Sequence, residues 1–198
     1  EVTALDESGH VYVTGKFHMS GRLPHDLEGW TDVEQIVRTT CALLGVKSDG
    51  RLRYELIYDE ADIVAEDIED AMDFSNLDTF ENIRQVFANR WGIYAVDRDG
   101  NTHVGGYAVS RGETYTVDDE VASWKNLIGV TGVSGDDRIA GIQADGQIVT
   151  TIDNLGRHNM EEMTNLERIE ITNRDKLSHG MGILGYGKAV ITKCYNYK

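Results

Sequence analysis

The stretch "LLGVKSDGRLRY", residues 43–54, sets two apolar runs on either side of Asp49-Gly50. Asp and Gly tolerate the positive φ that a tight hairpin turn requires, so the stretch predicts two antiparallel strands and their turn. Nearly the same phrase returns four more times: "TALDESGHVYVT" (3–14), "YAVDRDGNTHVG" (94–105), "AGIQADGQIVTT" (140–151) and "MGILGYGKAVIT" (181–192). Each copy reads small residue, aliphatic residue, three variable residues, then glycine: Ala4-Leu5 to Gly9, Gly45-Val46 to Gly50, Ala95-Val96 to Gly100, Gly141-Ile142 to Gly146 and Gly182-Ile183 to Gly187. The turn glycines stand 41, 50, 46 and 41 residues apart, and a near-constant period of that size marks a repeat architecture.

A second segment recurs upstream of each full phrase. Trp30-Thr-Asp-Val33-Glu-Gln-Ile36, Phe80-Glu-Asn-Ile83-Arg-Gln-Val86 and Trp124-Lys-Asn-Leu127-Ile-Gly-Val130 share the frame aromatic, two polar, aliphatic, two more, aliphatic. Leu166-Glu-Arg-Ile169-Glu-Ile171 reads as a looser fourth copy whose last aliphatic comes one residue early. Each segment suits a strand, and the run that follows it, such as "CALLGV" or "GIYAV", is continuously apolar, as a buried strand is. The recurring small residue predicts close approach between neighbouring units. One such unit cannot bury its own apolar face, whereas stacked neighbours can. Three or four short antiparallel strands in a repeat of this length is the size of a propeller blade.

The residues W-x-D-V-x-x-I followed by G-V-K-S-D-G resemble the repeat of the regulator of chromosome condensation family, a β-propeller family with many bacterial members. The resemblance spans nearly the whole chain. The family's His, three residues before the small residue, matches His179, while the same slot holds Ala42, Gly92 and Arg138 in the other full units. The resemblance implies an all-β, propeller-like array of about four full units and one partial unit in a single domain, 1–198. Its partial unit is 1–16 and its core units are 30–58, 80–109, 124–153 and 166–198. It also implies functions ranging from nucleotide exchange on a small nuclear GTPase to modules of unknown role. Because the chain begins in mid-repeat, it reads as excised from something longer, and an open array exposes strand edges that recruit a partner.

Two segments interrupt the period. In "DEADIVAEDIEDAMD", residues 59–73, Ala61, Val64, Ala65, Ile68, Ala71 and Met72 fall on one helical face, with eight acids elsewhere, which predicts a short inserted amphipathic helix. Residues 17–29 hold the only proline and predict a loop.

Composition narrows the function. A formal charge of −15 repels phosphate backbones and disfavours nucleic acid as a partner. No apolar run is long enough for a membrane span, and no signal segment opens the chain, so the expectation leans intracellular. Cys41 and Cys194, the only cysteines, are too few for a disulfide framework and read as two free thiols or, alternatively, a single bridge. "DRDGN", 97–101, has its glycine fourth where a calcium loop has it sixth, and reads as a turn. The six histidines lack paired metal spacing, no nucleophile elbow or phosphate cradle occurs, and no acid–base cluster rises above background. The expectation is therefore no enzyme, no cofactor and no metal.

One constellation points to binding. The link between the first and second strands of each full unit is polar and carries Arg38, Arg90 with Trp91, Arg138, and Arg174 with Lys176. In a propeller these links share one face, where Arg and Trp serve as interface anchors. The reading is a protein-binding or scaffold module that uses this loop face or an open strand edge, self-association through that edge included. The alternatives are a carbohydrate-binding propeller, for which Trp91 is the candidate aromatic, and a small-GTPase regulator. Trp30 and Trp124 fill the repeating aromatic slot and are expected to be packing residues.

Overall fold

The computed structural model describes residues 2–14, 27, 29–39, 42–56, 71–89, 92–110, 113–115, 119–132, 139–151, 166–174, 177–184 and 189–195, the stretches beyond residue 151 by backbone alone. The described chain is mostly strand. A hairpin of β1 (Val2–Leu5) and β2 (Val11–Thr14) is followed by four three-stranded antiparallel meanders. The first unit holds β3 (Val33–Arg38), β4 (Ala42–Lys47) and β5 (Leu52–Leu56). β6 (Ala71–Asp73) precedes the second unit, which holds β7 (Ile83–Ala88), β8 (Ile93–Asp97) and β9 (Thr102–Gly105). Then come β10 (Tyr107–Ser110), β11 (Glu113–Tyr115) and one short helix, α1 (Asp119–Ser123). The third unit is β12 (Leu127–Gly132), β13 (Ile139–Gln143) and β14 (Ile148–Thr150). The fourth is β15 (Leu166–Arg174), β16 (Leu177–Leu184) and β17 (Ala189–Tyr195).

The expected unit is thus present four times, with three strands each, and the N-terminal partial unit supplies only a second and third strand. Each first strand carries a β-bulge at one position: between Val33 and Gln35, Ile83 and Gln85, Leu127 and Gly129, and Leu166 and Arg168. The bulge corrects the frame of the fourth copy. Leu166 stands where Val33 does and Ile169, opposite Gly182, stands where Ile36 does opposite Gly45. In sequence this puts Met163 in the aromatic slot and Asn165 beside Asp32, Asn82 and Asn126. The aromatic slot misled the reading; the Asn/Asp slot carried the frame.

Those Asn and Asp residues join the units. Asp32, Asn82 and Asn126 have φ of 60°, 56° and 58°, a left-handed conformation that their short polar side chains tolerate. The N–H of the next residue then donates to the turn glycine of the preceding unit: Val33 to Gly9 at 3.2 Å, Ile83 to Gly50 at 2.8 Å and Leu127 to Gly100 at 2.9 Å. The glycine also lies against that backbone, for a Cβ on Gly50 would stand 2.7 Å from the Cα of Asn82. The small residue before the aliphatic has a different job from the one expected. A Cβ on Gly45 would stand 2.8 Å from the Trp30 ring, and one on Gly141 would meet Leu127, so both glycines make room within their own unit. The backbone contact between units belongs to the turn glycine, while Ala95, in the same small-residue slot, lies in the apolar cluster between the first and second units.

The apolar cores lie between successive units. Val11 and, less deeply, Leu5 and Val13 pack with Trp30, Val33 and Leu43. Ala42, Leu44 and Val46 pack with Phe80, Ile83, Val86, Ile93 and Ala95. Tyr94 and Val96 pack with Trp124, Leu127, Val130 and Ile139. β4 is therefore buried on both faces, Leu43 towards one neighbour and Leu44 towards the other, and β8 likewise through Ala95 and Tyr94, which is why both are continuously apolar. Trp30 and Trp124 are buried packing residues, as expected.

The inserted helix ends differently from the expectation. Ala71, Met72 and Asp73 form a strand that pairs antiparallel with Val109, Ala108 and Tyr107 of β10, and β11 completes that sheet. Backbone pairing with a distant strand overrides the local helical spacing there. Residues 59–70, and residues 17–26 of the expected loop, lie outside the described residues.

Candidate functional site

The link between the first and second strands is a tight turn held by a buried polar side chain. Thr39 N–H donates to Ala42 C=O at 2.9 Å and Ala42 N–H donates to the Thr39 hydroxyl at 2.9 Å. Asn89 repeats the device: its N–H donates to Gly92 C=O at 3.0 Å and its side-chain oxygen accepts from Gly92 N–H at 2.9 Å. Arg38, exposed, is the last residue of β3, and Arg174 is the last residue of β15. Arg90, Trp91, Arg138 and Lys176 lie outside the described residues, as does Cys41, while Cys194 lies on β17 and is described by its backbone alone. The structure thus puts Arg38 and Arg174 at the corresponding ends of their first strands.

Two glutamines, which sequence reasoning passed over, fix how first strands lie beside one another. The Gln35 side-chain amide donates to Val86 C=O at 2.8 Å, and its oxygen accepts from Val86 N–H at 2.9 Å. Gln85 makes the same pair of bonds to Val130, both at 3.2 Å. The signal was available: Gln35 and Gln85 occupy one slot of the frame, and that slot holds Gly129 in the third unit. Val86 and Val130 are free to be clasped because, in an antiparallel pair, alternate residues turn their N–H and C=O away from the partner strand.

The same alternation defines the open side of the partial unit. Asp6 N–H donates to His10 C=O at 3.1 Å, so in the β1–β2 register the residues bonded to β2 are Ala4 and Val2. Thr3 and Leu5 therefore turn their N–H and C=O away from β2. In every other unit that side is filled by a first strand; at β1 no strand lies there among the described residues.

The turn of "DRDGN" is held by its own carboxylate. Buried Asp97 accepts N–H bonds from Asp99 at 2.9 Å and Asn101 at 2.8 Å, with the Asn101 side chain and His103 Nε2 on its other oxygen, both at 3.0 Å. Burial pushes the Asp97 pKa up, but the hydrogen bonds from His103, Asn101 and Asp99 outweigh it and hold the carboxyl below its ordinary value. Asp6 occupies the same slot and is held down to about 2 by the Ser8 hydroxyl, the His10 N–H, the Tyr12 hydroxyl and the Ser8 N–H. A depressed carboxyl contributes stability above its unfolded pKa and loses it as pH falls through the folded one. Asp97→Asn is therefore expected to be less stable than the parent near neutral pH, with the difference shrinking below about pH 4. Urea midpoints measured down the pH scale check this; a difference that stays constant contradicts it.

Among the described residues no three His, Cys, Asp or Glu side chains gather as metal ligands. Tyr12 is the exposed large aromatic there, while buried Trp30 and Trp124 present no ring to a sugar. No protein-family model matches the sequence, and no curated protein matches it.

Proposed function

We propose that this chain is a non-enzymatic protein-binding module, a propeller-like array of strand meanders that takes up an extended segment of another chain along β1. The open side of the β1–β2 hairpin carries this reading. Thr3 and Leu5 offer two N–H donors and two C=O acceptors in one row, and exposed rows of this kind are completed by added strands. The stacked meanders also support the likeness to chromosome-condensation-regulator repeats, and with it a shared turn face carrying Arg38 and Arg174 as a secondary surface.

The edge is tested with a fluorescein-labelled peptide copying Phe80–Ala88, itself a first strand, titrated into the whole chain by anisotropy. Thr3→Pro removes an N–H on the open side without removing a β1–β2 bond. Saturable binding, weakened roughly tenfold or more by Thr3→Pro with an unchanged melting temperature, is the expected result. No binding, or equal binding by the variant, contradicts the proposal.

A further inference from the structure

We infer that the array opens between its third and fourth units, where the third unit offers its neighbour small and hydroxyl-bearing residues and no glutamine. The inference is independent of the edge along β1.

Register gives each of the first three full units two cross-strand rows on the side that meets the following unit. In the first unit these are Val37–Leu44–Tyr54 and Gln35–Val46–Leu52. In the second they are Phe87–Tyr94–Val104 and Gln85–Val96–Thr102. The apolar members of these rows lie in the clusters between units. In the third unit the same rows read Thr131–Ala140–Thr150 and Gly129–Ile142–Ile148. Thr131 thus stands where Val37 and Phe87 stand, and Ala140 where Leu44 and Tyr94 stand. The Thr150 hydroxyl donates to Ile139 C=O at 2.9 Å, so it is satisfied inside its own unit whether or not the neighbour is seated.

The glutamine slot adds a second loss. The clasp measures 2.8 and 2.9 Å from Gln35 to Val86 and 3.2 Å for both bonds from Gln85 to Val130. On β15 the corresponding residue is Ile169, opposite Gly182 as Val86 is opposite Ala95 and Val130 opposite Gly141. Gly129 has no side chain to reach it. Parting at this boundary therefore breaks no clasp from the earlier unit. It also brings less apolar side-chain surface of that unit into water than parting the first from the second or the second from the third. A stack held neighbour by neighbour opens where its coupling is weakest.

Native-state hydrogen exchange on the whole chain tests this. A single meander cannot bury its apolar face alone, so on parting the fourth unit unfolds and its amides exchange. Amides of β16 are expected to be at least about tenfold less protected than those of β8, with β15 and β17 opening together with β16. Gly129→Gln restores the clasp. The backbone of Gly129 is not left-handed, and a Cβ there would meet the Gln85 side-chain oxygen at 3.0 Å, an end that can swing aside. The two regained hydrogen bonds are expected to raise β16 protection about tenfold and leave β8 unchanged. Gln85→Gly is the converse, expected to lower β13 protection about tenfold while β8 keeps its own. Equal protection of β16 and β8 overturns the inference. A low β16 protection that Gly129→Gln does not raise also overturns it, and assigns the exchange to the fourth unit's own strands. Should Gly129→Gln fail to fold, Gln85→Gly decides: unchanged β13 protection overturns the inference, and the expected loss upholds it.

Discussion

Gly50→Ala is expected to destabilise the protein by about 3 kcal/mol, combining the cost of a left-handed alanine with that of forcing atoms into a packed contact. Gly50 has φ of +81°, and its missing Cβ would lie 2.7 Å from Asn82 Cα and 2.9 Å from both Asn82 C and Ile83 N. None of these neighbours is a side chain that can swing aside, so relief requires the second unit to move away from the first. That movement also stretches the Ile83 N–H to Gly50 C=O bond and the Gln35 clasp on Val86. A stack in which each unit touches only its neighbours then unfolds in separate steps. Chemical denaturation followed by circular dichroism is expected to change from one transition to two. Gly100→Ala, whose Cβ would lie 3.0 Å from Asn126 Cα, is expected to do less. A loss below about 1 kcal/mol for Gly50→Ala contradicts the tight joint.

Trp30→Ala is expected to cost about 3–5 kcal/mol, as large aromatic truncations in cores do. Trp30 is 0% exposed, fills the space left by Gly45, and joins Val11 and Leu43 across the boundary between the partial unit and the first full unit. The Arg53 guanidinium lies 5.5 Å from the ring centroid and donates to Gly29 C=O at 2.6 Å, so it loses a surface to rest on. The damage is expected to fall on one boundary. Hydrogen exchange should rise in β1, β2 and the start of β3 while β8 and β13 keep their protection; uniform loss across all units contradicts a neighbour-by-neighbour stack.

These joints show why some of the fold was legible and some was not. Four of the hairpins were legible because their turns need positive φ, and Asp-Gly or Ser-Gly declares it: Gly9, Gly50, Gly100 and Gly146 all have φ near +80°. β4 and β8 were legible because they are sandwiched, leaving no polar face to blur the run. The fourth copy was misframed because aromatic spacing was weighted over the left-handed Asn/Asp slot, which Asn165 fills. Ala71–Asp73 misled because a three-residue strand paired with β10 has no periodicity of its own to set against a helical pattern.

The candidate surface was legible only in outline. The β1–β2 hairpin could be read from its turn, and with it the alternation that turns the backbone of Thr3 and Leu5 away from β2. The clasp could not be read from Gln35 or Gln85 alone, because a hydrogen bond to residue Val86 or Val130 far along the chain leaves no local trace. Only the recurrence of Gln in one slot hinted at it. Arg38 and Arg174 stand where the strand links place them.

The most direct measurement of the central claim is amide hydrogen exchange, residue by residue, on the protein alone. The account predicts an alternation in β1, with Ala4 protected by β2 and Thr3 and Leu5 exchanging fast, while Val86 and Val130 are protected by their glutamines. Protection of Thr3 and Leu5 equal to that of Ala4, Val86 and Val130 would mean that the open edge is already closed, and would contradict it.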